Sequence, residues 1–256
     1  MMRRAWLAAL ACALAAHAQV GPHPEAGIAF DQRMGAQVPM SLTFDDERYG
    51  RTDFASALGG KPGVLLMGYA RCRDLCAVTL PSAAQALDRT GLVAGRDYSA
   101  IFASIDPRED AATVRQAAQR IPGDDRAAWH FLAADVATVR ALAAAVGFRY
   151  RYEPTRDAFA HPEGLVILAP GGAVSRYFMG VRFEPGEIAQ ALRDADQGHR
   201  AEAAPPLLLL CYHFDPATGR YTLPILDILR AVGAAFALIA GACAWRMARS
   251  GKRSAP

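Results

Sequence analysis

Between residues 38 and 200 the chain alternates short apolar runs with stretches of helical period. Val64 to Tyr69 is apolar at nearly every position, the pattern of a central strand covered on both faces. Residues 99–105 read as the next strand and 129–132 as a short strand or turn. Residues 165–169 and 173–178 form a hairpin around Pro170, Gly171 and Gly172. A short strand at 40–44 leads to a turn at 45–50, and 52–58 give one or two helical turns that the glycine-rich run ending at Gly63 stops. Helices are predicted over 79–89, with Pro81 in the first turn, over 110–120, from a cap at Asp135 to Gly147, and over 187–195. Strands that alternate with helices, then a hairpin and a last helix, predict an α/β domain with a mixed sheet flanked by helices.

The two ends differ from this pattern. Arg3 and Arg4 precede an apolar stretch too short to span a bilayer, and Ala16 and Ala18 bracket a small-x-small site. Residues 1–18 therefore read as a secretory signal peptide, and the patternless 19–37 as a linker. Near the other end, residues 225–245 are 21 positions of apolar character closed by Trp245 and followed by Arg246, Arg249, Lys252 and Arg253. That is the length of a transmembrane helix, and the basic flank places the tail in the cytoplasm. The expected organisation is a domain at 38–200, a juxtamembrane segment at 201–224, the transmembrane helix at 225–245 and a basic tail at 246–256. The expected location is a bacterial inner membrane with the main domain in the periplasm. The net charge is only +3, and six basic residues at the two ends account for more than that. The rest of the chain is net acidic, which excludes a nucleic-acid footprint.

Cys72 and Cys76 stand four apart where the apolar strand gives way to the 79–89 helix. The strand–cysteine pair–helix order, with the hairpin and helix that follow, is the thioredoxin-like arrangement. Thiols at a helix start share a face, and the helix N-terminus with Arg71 and Arg73 favours the thiolate. Four readings remain open on these residues alone: core filler, a structural disulfide, a redox couple, or two arms of a soft-metal site. His161, just before the hairpin strand, could supply a third ligand for Cu(I), Cu(II) or Zn. A loop histidine of no function is the plain alternative. His130 reads as structural.

The segment `GYARCRDLCAVTL` carries Gly68, Tyr69, Cys72, Asp74, Cys76, Thr79 and Leu80. `SIDPRED` carries Asp106, Pro107 and Asp110, and His161 precedes the hairpin strand. In that order these resemble the Sco/SenC family of copper-binding, thioredoxin-like assembly factors of cytochrome c oxidase, over residues 38–197. The resemblance implies a copper site made of Cys72, Cys76 and His161. It also implies delivery of the ion to the binuclear copper centre of an oxidase subunit, or reduction of that subunit's cysteines, as a membrane-tethered thiol–disulfide reductase with Cys72 and Cys76 as its catalytic pair. The expected partners are the copper-bearing oxidase subunit and a periplasmic copper donor or thiol reductant. Ala77 departs from the proline usual after the second cysteine. The C-terminal anchor resembles that of one branch of the family.

Asp74 and Asp106 are candidates to tune the site or meet a partner, with helix capping the simpler role for each. Cys211 and His213, two apart, would project together from an extended segment. They form either an auxiliary metal site or part of a packed docking segment with Tyr212 and Phe214.

Overall fold

The computed structural model describes residues 27–72, 76–121, 128–202, 214–215, 220–221, 233–236, 238 and 241–242, and gives the backbone alone at 76, 77, 214, 215, 220 and 221. The chain divides into two compact units, the second beginning at residue 204.

The first unit is built on seven strands. In chain order its elements are β1 (Ala29–Phe30), β2 (Thr43–Asp46), β3 (Gly50–Asp53), α1 (Phe54–Leu58), β4 (Gly63–Gly68), α2 (Cys76–Asp88), β5 (Ser99–Ser104) and α3 (Ala111–Gln116). Then come a 3-10 turn (Ala117–Arg120), β6 (Trp129–Ala133), α4 (Val136–Ala145), β7 (Phe148–Arg149), β8 (Arg151–Glu153), β9 (Ala158–Ala160), β10 (Gly164–Leu168), β11 (Val174–Met179) and α5 (Pro185–Asp196). The main sheet has the order β11-β10-β4-β5-β6-β2-β3. β4, β5 and β6 run parallel, and β10 and β2 flank them antiparallel.

β4 shows why the apolar run is continuous. Val64 and Leu66 face a core with Leu80 and Leu87 of α2, Val114 of α3 and Leu192 of α5. Leu65 and Met67 face the opposite core, with Phe54 and Leu58 of α1 and Leu142 of α4. Side chains alternate along a strand, so a strand packed on both faces has no polar position to spare.

The structure adjusts several expectations. α2 starts at Cys76 rather than at 79, so Pro81 lies in the second turn, where it has no N–H to give the preceding turn. The 110–120 helix is α-helical only to Gln116 and tightens into the 3-10 turn, with Asp110 as its N-cap through the Thr113 N–H. The expected strand at 40–44 lies further on, as the hairpin of β2 and β3. Asp46 tolerates burial there because its carboxylate accepts from the Arg48 and Tyr49 N–H groups and sits 3.1 Å from His130 Nδ1. His130 is accordingly structural.

Residues 27–37 are not a bare linker. Phe30 pairs with Phe148, and Asp31 N–H donates to the Gly147 carbonyl. Gly147 has φ 63°, and a Cβ there would collide with the Asp31 carbonyl oxygen, so the strand crosses the α4–β7 corner only because that corner is glycine. The packed domain therefore begins before residue 38.

In the second unit Phe214–Asp215 (β12) pairs antiparallel with Arg220–Tyr221 (β13), and residues 233–236 are helical. Among the described residues no helix is long and apolar enough to cross a membrane. Most of the expected transmembrane helix at 225–245, the signal peptide at 1–18 and the tail at 246–256 lie outside the described residues.

Candidate metal centre

The β4–β10 register decides what meets the cysteine loop. Val166 pairs with Leu65 and Leu168 with Gly63 in antiparallel sense. Continuing that register back from β10 carries His161 to the level of Ala70, in the turn that leads from β4 to Cys72. The β8–β9 hairpin, which the sequence pattern did not signal, delivers His161 directly from Ala160. Cys72 and His161 are both buried, at 3% and 5% exposure, and their side chains share a hydrogen bond. Cys76 is the first residue of α2, one helical turn further along the chain. Two of the three expected ligands are thus together, and the backbone of the third sits at the helix start that favours a thiolate. No set of three or more His, Cys, Asp or Glu side chains placed for a metal occurs among the described residues, which lack the Cys76 side chain.

The imidazole is held from several sides. Nδ1 lies 3.0 Å from the Pro162 carbonyl oxygen, and the ring packs against Tyr69 and Phe148 with centroids 5.9 Å away. Glu163, itself buried, places Oε1 3.7 Å from Nδ1 and accepts a 2.5 Å hydrogen bond from Thr79 Oγ1 of α2 at its other oxygen. Burial pushes His161 toward its neutral form. The Glu163 carboxylate, the Cys72 sulfur and the Pro162 carbonyl outweigh that push and raise its pKa to about 9. With Nδ1 turned to the Pro162 carbonyl, an arrangement common among ligating histidines, a metal at this ring would be met by Nε2.

The cysteine loop is clamped from below. Glu109, buried just beyond β5, accepts the Ala70 and Arg71 backbone N–H groups at 2.9 Å each and the Ser104 hydroxyl at 2.7 Å. Arg120, at the end of the 3-10 turn, donates to the Ala70 and Cys72 carbonyls. Asp106 caps no helix. Its buried carboxylate takes a two-pronged contact from Arg108 at 2.8 Å on each oxygen and reaches Arg71 at 3.5 Å, so it steadies the loop through Arg71. Sequence reasoning missed Glu109, Arg120 and Glu163. Acidic residues bordering strands that are otherwise wholly apolar, as in `PRED` and `HPEG`, were the available signal. Asp74, Cys211 and His213 lie outside the described residues.

The Cys72 thiol and the His161 imidazole are a soft sulfur–nitrogen pair, to which a thiolate at the start of α2 would add a second sulfur. Such a set suits Cu(I) and also accommodates Cu(II).

Among solved structures, a candidate electron-transfer protein of Aquifex aeolicus VF5 is similar at 25% identity, with a TM-score of 0.58, over 65% of this chain and 95% of that one. ScoI of Bradyrhizobium japonicum, solved with copper bound, is similar at 22% identity and a TM-score of 0.51, over 60% of this chain and 96% of its own. BsSco, described as a member of the Sco family of cytochrome c oxidase assembly proteins with a disulfide switch, shares 17% identity and a TM-score of 0.51, over 66% and 98%. These likenesses bear out the mixed α/β, thioredoxin-like fold. No curated protein sequence matches the chain. The description SCO1/SenC covers residues 37–196, well over half the chain, and the chain therefore belongs to the SCO1/SenC family.

Proposed function

We propose that this chain carries copper as cargo, holding it between Cys72, Cys76 and His161 and passing it to the binuclear copper site of a cytochrome c oxidase subunit. The buried contact between Cys72 and His161, with Cys76 at the start of the adjoining helix, supports this reading best. Copper binds here in place of protons, so loading releases them and is favoured as pH rises. The loop that carries Cys72 is fixed by Glu109 and Arg120, and a site with so few ligands releases its ion by exchanging them one at a time. The structure of Bradyrhizobium japonicum ScoI with copper bound agrees with the cargo.

A signal peptide at 1–18 and a helix at 225–245 would tether the domain on the periplasmic face of the inner membrane, as in the C-terminally anchored branch of the family. A tether raises the effective concentration of donor at a membrane-bound acceptor. A second reading draws on the C-x-x-x-C pair at the helix start. Cys72 and Cys76 would give two electrons and two protons to a disulfide in the oxidase subunit, becoming a disulfide themselves.

Titration of the detergent-solubilised full chain with Cu(I) and with Cu(II) is expected to saturate at one ion per chain, with none bound after alkylation of the cysteines. Saturation unaffected by alkylation would end the carrier reading. For the tether, protease added to the outside of spheroplasts is expected to remove the domain and leave a membrane-bound C-terminal fragment. Release of the intact domain by a high-salt wash would refute the anchor.

A further inference from the structure

Beside the metal centre lies a groove of about 630 Å³. Phe148 and Phe159 lie in its lining, and Phe148 is the same ring that packs on His161. Four guanidinium groups line it from three segments of chain: Arg33 just after β1, Arg140 on α4, and Arg149 and Arg151 on β7 and β8. One lining carboxylate, Asp31, pairs with Arg149 at 3.1 Å, and Arg151 is answered by Glu153. Arg33 donates to the Ala144 carbonyl, and neither it nor Arg140 has a carboxylate at ion-pair distance among the described residues. The chain outside its two basic ends is net acidic, so this cationic groove is a local departure from the charge around it.

We propose that the groove docks an acidic, aromatic-bearing segment of the protein that receives the metal. The inference rests on the carrier reading for the partner's identity, but not for the binding itself. The volume matches a bound small ligand or a few residues of chain. Cations spread over separate segments suit successive carboxylates along an extended peptide, where a small anion would need donors converging on one point. The apolar lining suits aromatic residues between those carboxylates, and guanidinium groups both pair with carboxylates and stack on rings. A concave groove does not fit the flat face of a bilayer. Docking there would bring the acceptor against the back of the His161 ring through Phe148.

The test uses the copper-free, detergent-solubilised full chain and a fluorescein-labelled peptide of repeating Asp-Tyr-Asp-Ser, read by anisotropy. Binding is expected to weaken steeply between about 50 and about 300 mM salt, and the peptide with Asn in place of Asp is expected not to bind. Arg140→Glu is expected to weaken binding about tenfold, whereas Arg193→Glu, on α5, leaves it unchanged. Arg140 is exposed and makes no ion pair, so its variant retains the fold. Equal binding by Arg140→Glu, or equal loss in Arg193→Glu, overturns the proposal. So does an Arg140-dependent binding to phosphatidylglycerol vesicles without any binding of the peptide. If the chain binds no copper but the peptide result holds, the carrier reading fails and the docking groove stands.

Discussion

Replacing His161 by alanine is expected to lower Cu(II) affinity by about 100-fold or more while leaving disulfide exchange close to that of the wild type. The reasoning starts from the donor set. Two thiolates satisfy Cu(I) in low coordination, but Cu(II) gains from imidazole nitrogen. The ring is placed by β9 and the β4–β10 register, so no other described side chain replaces it. Thiol–disulfide exchange needs only the sulfurs. Cu(I) binding is expected to persist at reduced affinity. The measurements are Cu(II) titration followed by the sulfur-to-copper charge-transfer absorption, and the rate of reduction of a disulfide-containing peptide. Because the variant leaves Glu163 beside an apolar void, His161→Asn, which keeps a polar group there, is run alongside with circular dichroism to confirm folding. Cu(II) affinity unchanged in both folded variants would remove the imidazole from the site. A loss of exchange equal to the loss of copper would merge the two readings.

Glu109→Ala is expected to cost about 3 kcal/mol of stability and to loosen the cysteine loop with it. The carboxylate is the acceptor for two backbone N–H groups and one hydroxyl in a buried setting, and Arg71 Nε lies 3.5 Å from it. Its removal strands those donors away from water, and their desolvation is the source of the cost. For a domain of this size the loss corresponds to a fall of roughly 10 °C in Tm. Glu109→Gln, which keeps one carbonyl oxygen, is expected to lose about half as much. Calorimetry reads the stability, and the rate of Cys72 alkylation reads the loop, expected to rise. A fall in Tm of less than about 2 °C would show that water or a neighbour takes over the donors.

The two variants test different levels of the same construction. His161 is a chemical group at the site, and Glu109 is the brace that shapes the backbone around it. In the sequence only the first was visible. A histidine preceding an apolar strand draws notice once two cysteines call for a third ligand, even with a plain loop histidine as the alternative. A glutamate in a charged run after a strand reads as solvated surface. Its burial follows from the turn after β5 folding under the turn after β4, which parallel neighbours in a sheet must do at their shared C-terminal edge.

What the sequence by itself determined was local. The two-sided apolar run of β4, the cap at Asp135, the turn at Pro170 to Gly172 and the cysteine pair at a strand–helix junction are consequences of side-chain period and backbone preference within about ten residues. Only the tertiary structure decided that residues 27–37 belong to the domain, that Asp106 braces Arg71 rather than a helix, and that Glu163 and Cys72 both lie against the buried His161. Those facts join positions tens of residues apart. They depend on sheet register and on where a buried charge finds its partner, and neither leaves a periodic trace in the chain.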